Sequence, residues 1–254
     1  AILQEIKSVG KLKTIGDAAF YGCGQLKKVY GLKVIESIGE RAFSGCAELT
    51  EISDLGTLKT VGKEAFKGLD KLKTPLTNLE TVGDDAFSGC LDLSGVNVSG
   101  KLKTIGAHAF KNAKNINISV PLPDIEVIGA EAFYGNLTLR KIDSANKLRE
   151  IGDGAFYGCK SLNSVTGDYN INRIGEKAFY DCSNLTVFDN LEKVTSIGAR
   201  AFMNCTSITA LAFPDAVSIG QEAFKGCTGL TSLCFARGNT PVSASIGARA
   251  FENC

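Results

Sequence analysis

Thr104-Ile-Gly-Ala-His-Ala-Phe110 and Ser196-Ile-Gly-Ala-Arg-Ala-Phe-Met-Asn-Cys205 are two copies of one phrase, Ile/Val-Gly-x-x-Ala-Phe, that runs along almost the whole chain. Its Phe falls at 20, 43, 66, 87, 110, 133, 156, 179, 202, 224 and 251, and seven of the ten gaps are 23 residues, the others being 21, 22 and 27. A fixed period of that length is the signature of a solenoid, in which each unit is too small to bury its own apolar face and must stack on its neighbours. The 254 residues therefore read as one domain, 1–254, of about eleven repeats of ~23 residues.

One repeat shows what the unit does. Leu49-x-x-Ile52, Leu58-x-x-Val61-Gly62 and Ala65-Phe66 are three short apolar clusters inside one period. Two Leu-x-x-Ile/Val steps nine residues apart leave no room for paired long helices, so the unit reads as a coil with one or two short strands. The first step (Leu26/Val29, Leu49/Ile52, Leu139/Ile142, Leu162/Val165, Leu185/Phe188, Leu230/Leu233) is the expected main parallel strand, stacked at about 4.8 Å per coil into a rod of about 50 Å. The second step ends at a Gly in every copy, from Gly16 to Gly247, which calls for positive φ or close backbone approach. Ala and Phe then follow on a short helical or 3₁₀ turn, with the rings packed between coils as core. The expected class is an α/β repeat solenoid, a right-handed superhelix of parallel strands joined by such turns.

These phrases resemble the BspA-like leucine-rich repeats, whose pattern is Leu-x-x-Ile-x-Ile-Pro-x-x-Val-x-x-Ile-Gly-x-x-Ala-Phe-x-x-Cys. The resemblance covers about residues 9 to 254 and departs mainly in lacking the Pro after the first strand, with Pro214, Pro75 and Pro121 near equivalent places. What it implies is a binding scaffold of surface or secreted proteins: a protein- or glycan-binding module for cell adhesion, extracellular or cell-surface in location. The alternative is a structural or regulatory scaffold domain within a larger intracellular protein.

The rest of the sequence carries little chemistry. Net charge is +1 with both signs interspersed, so there is no clustered basic face for nucleic acid, and no apolar run approaches the roughly 20 residues of a membrane span. The chain opens at Ala1 without Met and stops at Cys254 directly after a motif, so both ends read as truncated. Eight of the nine Cys (23, 46, 90, 159, 182, 205, 227, 254) stand three residues after the repeat Phe, a slot filled by Leu69, Ala113 and Asn136 elsewhere. That substitution pattern suits buried reduced thiols acting as small hydrophobes; disulfides between adjacent rungs are the other reading. One Cys per coil supplies no tetrahedral set for zinc. Cys234 stands apart, on the first-step strand, and the single His108 lies far from it. No catalytic, cofactor-binding or metal-ligating constellation converges, and the expectation is a protein without enzymatic activity, cofactor or metal.

Binding residues follow from alternation. In the first-step strands the third and fifth positions point outward, on an expected concave face. They are Lys28/Tyr30, Glu51/Ser53, Gly95/Asn97, Lys141/Asp143, Ser164/Thr166, Val187/Asp189, Ala210/Ala212 and Ser232/Cys234. The candidate ligand-binding face is Lys141, Asp143, Ser164, Thr166, Val187 and Asp189, on three consecutive coils. Val187, Ala210 and Ala212 beside Phe213 make a candidate apolar patch. A second outward row, Thr14, Ser37, Thr60, Thr81, Thr104, Ser196 and Ser218, is expected to satisfy neighbouring polar groups, and Ala236–Pro241 reads as an inserted loop.

Overall fold

The computed structural model describes residues 2–8, 10–93, 96–98, 101–116, 118, 121–215, 218–235 and 245–254. It is a parallel β-solenoid of leucine-rich-repeat type. The sheet that runs its full length is built from the second apolar step: eleven two-residue strands, from Thr14–Ile15 to Ser245–Ile246, pair in parallel and in register, Ile15 to Ile38 to Val61 to Val82 and onward. The first step, expected to be the main strand, instead forms four short sheets. These are Glu5–Lys7 with Lys28–Tyr30 and Glu51–Ile52; Leu76–Thr77 with Val96–Asn97; Lys141–Ile142 with Ser164–Val165 and Val187–Phe188; and Ala210–Ala212 with Ser232–Cys234.

Length explains the exchange of roles. The segment from second-step strand to Phe never changes length, so its rungs meet without a break. All variation between repeats falls after the Phe, beside the first step. The 21-residue gap between Phe66 and Phe87 is one such place: Pro75 has no N–H to donate, and the buried Thr74 hydroxyl accepts the Ile52 N–H at 2.8 Å across the break.

The repeat glycines answer to close approach, not to φ. None has positive φ. A Cβ on Gly129 would lie 2.5 Å from the backbone N of Ala107, and on Gly152 2.4 Å from that of Ala130, so the backbone of one coil rests where a side chain would begin. A Cβ on Gly16, by contrast, would meet nothing within 4 Å.

The expected helical or 3₁₀ turn at Ala-Phe is not formed among the described residues, which contain no helix. The second variable residue of Ile-Gly-x-x-Ala-Phe sits in the left-handed region in every copy, for example Arg41 at φ 52°, His108 at 54° and Lys177 at 53°, and the residue two after Phe does so again, as at Gly45, Asn112 and Asn204. Left-handed residues on both sides of Ala-Phe break any i to i+4 ladder. The backbone alternates instead: His108 N–H, Phe110 N–H and Asn112 N–H donate to Ala130, Ala132 and Tyr134 of the next coil, while Lys111 N–H and Ala113 N–H close turns on His108 and Phe110.

Inside, the eleven Phe rings form one continuous stack. Neighbouring centroids lie between 5.1 Å (Phe66–Phe87) and 5.6 Å (Phe133–Phe156), nearly parallel, and Phe43 to Phe224 are buried. Gly129→Ala is expected to lower stability by about 1–3 kcal/mol or more, because the added methyl must push two backbones apart. Gly16→Ala is expected to leave it unchanged within about 0.5 kcal/mol. Equilibrium urea unfolding of the two variants checks the pair.

Candidate functional site

The three-coil face singled out by sequence is assembled in the structure. Lys141 pairs with Ser164 and Ser164 with Val187 in register, so the outward residues stand in a row across three parallel strands. Ile142, Val165 and Phe188 between them are buried, which fixes the row's outward direction.

The six side chains differ in how free they are. Lys141 and Val187 are exposed, Val187 by 44%. Asp143 is half-buried and engaged on three sides: Lys141 Nζ at 3.0 Å, the Thr166 hydroxyl at 3.1 Å and the Ser144 hydroxyl at 3.2 Å. The Lys141 bond holds the Asp143 carboxyl below the usual carboxylate range. Ser164 and Thr166 are half-buried. Asp189 is exposed, yet it receives the hydroxyl of buried Tyr169 on its backbone carbonyl and, at 3.3 Å, on Oδ1. Burial and the neighbouring Asp189 push the Tyr169 phenol upward. Asp143 and Asp189 thus brace the face as well as line it, whereas alternation alone read both as simply exposed.

Of the candidate apolar patch, Val187, Ala210 and Ala212 are exposed, while the neighbouring Phe213 turns inward. Phe213 is fully buried, packed at 6.3 Å from Phe202 and 6.1 Å from Phe224, and the Val187 and Ala210 strands belong to different short sheets. Between those sheets lies a shallow cleft of about 350 Å³ bordered by Asp189, Asn190, Ala210 and Ala212. Gly95, the Asn97 side chain and the 236–241 loop lie outside the described residues.

The cysteine ladder is a packing feature. No disulfide is present among the described residues, and Cys46, Cys90, Cys159, Cys182, Cys205 and Cys227 are buried. Each of these thiols donates to the Phe carbonyl of the coil before it, as Cys159 does to Phe133 at 3.1 Å and Cys205 to Phe179 at 3.0 Å. Asn136 fills the same slot with every polar atom used: Nδ2 donates to Ala113 and Ile116 carbonyls, and Oδ1 accepts the N–H of Thr138 and Leu139. No group of three or more His, Cys, Asp or Glu that could hold a metal ion occurs among the described residues.

Sequence reasoning missed the ion pairs, most of which link one coil to the next. Arg41 Nε meets Glu64 at 2.5 Å, Lys67 meets Glu64 at 3.2 Å and Asp85 at 3.3 Å, and His108 lies between Asp85 (3.5 Å) and Glu131 (3.7 Å). The signal was present: reading the second variable position down the repeats gives Arg41, Glu64, Asp85, His108, Glu131. His108 is accordingly half-buried in a charged row.

The chain belongs to the BspA type leucine rich repeat family, six copies of whose region match residues 2–117 and 126–254. It is similar to a leucine-rich repeat protein of Bacteroides ovatus, at 28% identity and a TM-score of 0.60, over 99% of this chain and 76% of that one. A leucine-rich repeat protein of Eubacterium ventriosum shares the fold at 20% identity and a TM-score of 0.54, over 98% of this chain and 82% of that one. Comparison with curated protein sequences finds no match. No helix among the described residues is long and apolar enough to cross a membrane.

Burial pushes the ladder thiols upward, Cys46 to about 11 and Cys90 and Cys227 to about 12. In the native protein at pH 8, Ellman's reagent is expected to titrate at most the three less buried thiols, Cys23, Cys234 and Cys254, against nine after denaturation. The sign for stability follows. A raised thiol contributes stability below its unfolded value of 9.0, which is lost as pH climbs toward the folded values of about 11 to 12. Cys46→Ala, Cys90→Ala and Cys227→Ala together are expected to flatten the alkaline limb of urea stability measured from pH 8 to 10.5.

Proposed function

We propose that the array is a single non-enzymatic domain that holds a protein or glycan on the face of its first-step strands, as a cell-surface adhesion module. The observation that carries this reading is the in-register row of Lys141, Ser164 and Val187, flanked by Asp143, Thr166 and Asp189. Three rungs at about 4.8 Å present charge, hydroxyl and apolar surface within about 10 Å, the mixture and scale of the centre of a specific interface. Asp143 and Asp189 are pre-ordered by their bonds to Thr166 and Tyr169, which lowers the entropy lost when a partner docks. Membership of a repeat family whose members are generally binding modules supports the class of function. The extracellular location rests on the family's habit of surface association.

The structure changes the variant best suited to the test. Replacing Asp143 or Asp189 would loosen Thr166 or Tyr169 along with the face. Lys141→Gln with Val187→Glu alters exposed side chains and keeps a donor at 141 beside Asp143. Against immobilised extracellular-matrix and serum proteins, surface plasmon resonance is expected to show binding by the wild type and at least tenfold weaker binding by the double variant, with an unchanged melting temperature. Absence of binding by the wild type across such a panel, or equal binding by both, overturns the reading.

A further inference from the structure

A second concave feature lies away from the first-step face, on the turn segments around the Phe stack. The residue after each repeat Phe forms its own row, and at Tyr134, Tyr157 and Tyr180 that row is aromatic on three successive coils. The rings stack at 4.6 Å with interplanar angles of 12° and 2°, and Lys111 Nζ caps the Tyr134 end, 5.0 Å from its ring centroid. All three tyrosines are half-buried, with their ring faces taken up largely by one another.

Beside them is a cleft of about 420 Å³. Its origin is a single substitution in the repeat. The left-handed position of the turn carries a side chain in every other copy, from Ala18 to Arg249, but is Gly154 here, at φ 61°. The missing side chain leaves a notch between the Tyr134 and Tyr157 wall and a wall of His108, Glu131, Asp153, Glu176 and Lys177. Glycine relieves the strain of that backbone; Gly154 itself is buried, so the cleft offers a ligand the side chains around it.

The polar wall is already paired. Glu176 holds Lys177 at 2.9 Å, Asp153 holds Arg173 at 2.8 Å and the Glu176 N–H at 2.7 Å, and Glu131 faces both Lys111 and His108. The three acids are each paired with a cation, Glu176 with Lys177, Asp153 with Arg173 and Glu131 with Lys111. A charged ligand would find no uncompensated countercharge and would have to break these pairs. A neutral ligand rich in hydroxyls can instead bond to the remaining lone pairs and N–H groups of paired ions, where a donor and an acceptor stand side by side. The phenolic edges add further hydroxyls and apolar ring carbon.

We propose that this notch is a binding site for a neutral saccharide, one or two sugar units long, separate from the face on the first-step strands. Gly154 opens it, Tyr134 and Tyr157 form one wall, and Glu131, Asp153, Glu176 and Lys177 recognise hydroxyls from the other.

Gly154→Lys is a direct test, since the next coil carries Lys177 in the same slot and backbone conformation. A Cβ at Gly154 would meet only the Glu131 side chain, its Cγ at 3.1 Å, which can rotate aside. Saturation-transfer NMR with cellobiose, chitobiose, lactose and mannobiose is expected to show at least one of them bound by the wild type. That signal should weaken at least tenfold in Gly154→Lys and in Glu176→Ala, and persist in the Lys141→Gln, Val187→Glu variant, which touches only the other face. Failure of all four disaccharides to bind, or undiminished binding by a folded Gly154→Lys, overturns the proposal. So does capture of tetra-arginine peptide in a Gly154-dependent manner, which would make the notch a site for basic peptide.

Discussion

Everything in this molecule depends on how closely one coil's backbone can rest on the next at the repeat glycines. At Gly106, Gly129, Gly152 and their equivalents there is no room for a Cβ, with backbone atoms about 2.5 Å from where it would lie. That contact aligns the second-step strands into an uninterrupted sheet and puts each Phe on the ring below. The Phe stack is thus a consequence of the glycine contact as well as a contributor to burial. Rings at 5.1–5.6 Å can fill the space between coils because the backbones beside them have come fully together.

The turn adopts a costly conformation for a reason that can be traced bond by bond. A left-handed non-glycine residue costs about 1–2 kcal/mol, and the chain accepts it at the first left-handed position of ten of the eleven turns, as at Arg41, Glu64 and His108. Each of these that has a described following coil points its N–H along the stack: Arg41 to Lys63, Glu64 to Asp84, His108 to Ala130, Lys177 to Ala199. In a helix those N–H groups would turn back into the same coil, and the carbonyls of the next would lie buried without donors. The second left-handed position is filled by Gly, Asn or Asp in all eleven copies, the residues that visit it at least cost, whereas the first must keep its side chains for the ion-pair row.

The spacing of Phe and Gly made the solenoid, its repeat count and its core legible, because those residues are used identically in every coil. The row Lys141, Ser164, Val187 was legible for the same reason, alternation beside a buried Ile142, Val165 and Phe188. What escaped reading depends on relations between coils. Thr74 bridging to Ile52, Tyr169 reaching Asp189 and Phe213 turning inward are contacts made between one coil and another, and no single repeat contains them. The turn was misread because Ala-Phe flanked by polar residues looks like a short helix. The Gly22, Gly45, Gly68, Gly89 series two residues past Phe was the contrary signal, a left-handed position written in the sequence.

Repetition also carries a hazard that the surface charges oppose. Identical coils have nearly identical sticky faces, so a coil could be skipped during folding and its neighbours joined directly with little loss of core packing. Just before the second-step strands the chain reads Lys13, Glu36, Lys59, Glu80, Lys103, Glu126, Arg149, opposite signs on successive coils. Correctly stacked, Lys13 and Lys59 both approach Glu36, at 3.4 and 3.8 Å, and Arg149 meets Glu126. Omitting the Glu36 coil would set Lys13 against Lys59, and every other single omission in this stretch would likewise place like charges together. Exposed pairs of this kind contribute at most about 1 kcal/mol each to the native state, too little to hold the array. Their value lies in the difference between the correct stack and the skipped one, since a lost attraction and a gained repulsion act together. The glycine contact makes coils stack tightly; the alternating charges make them stack in order.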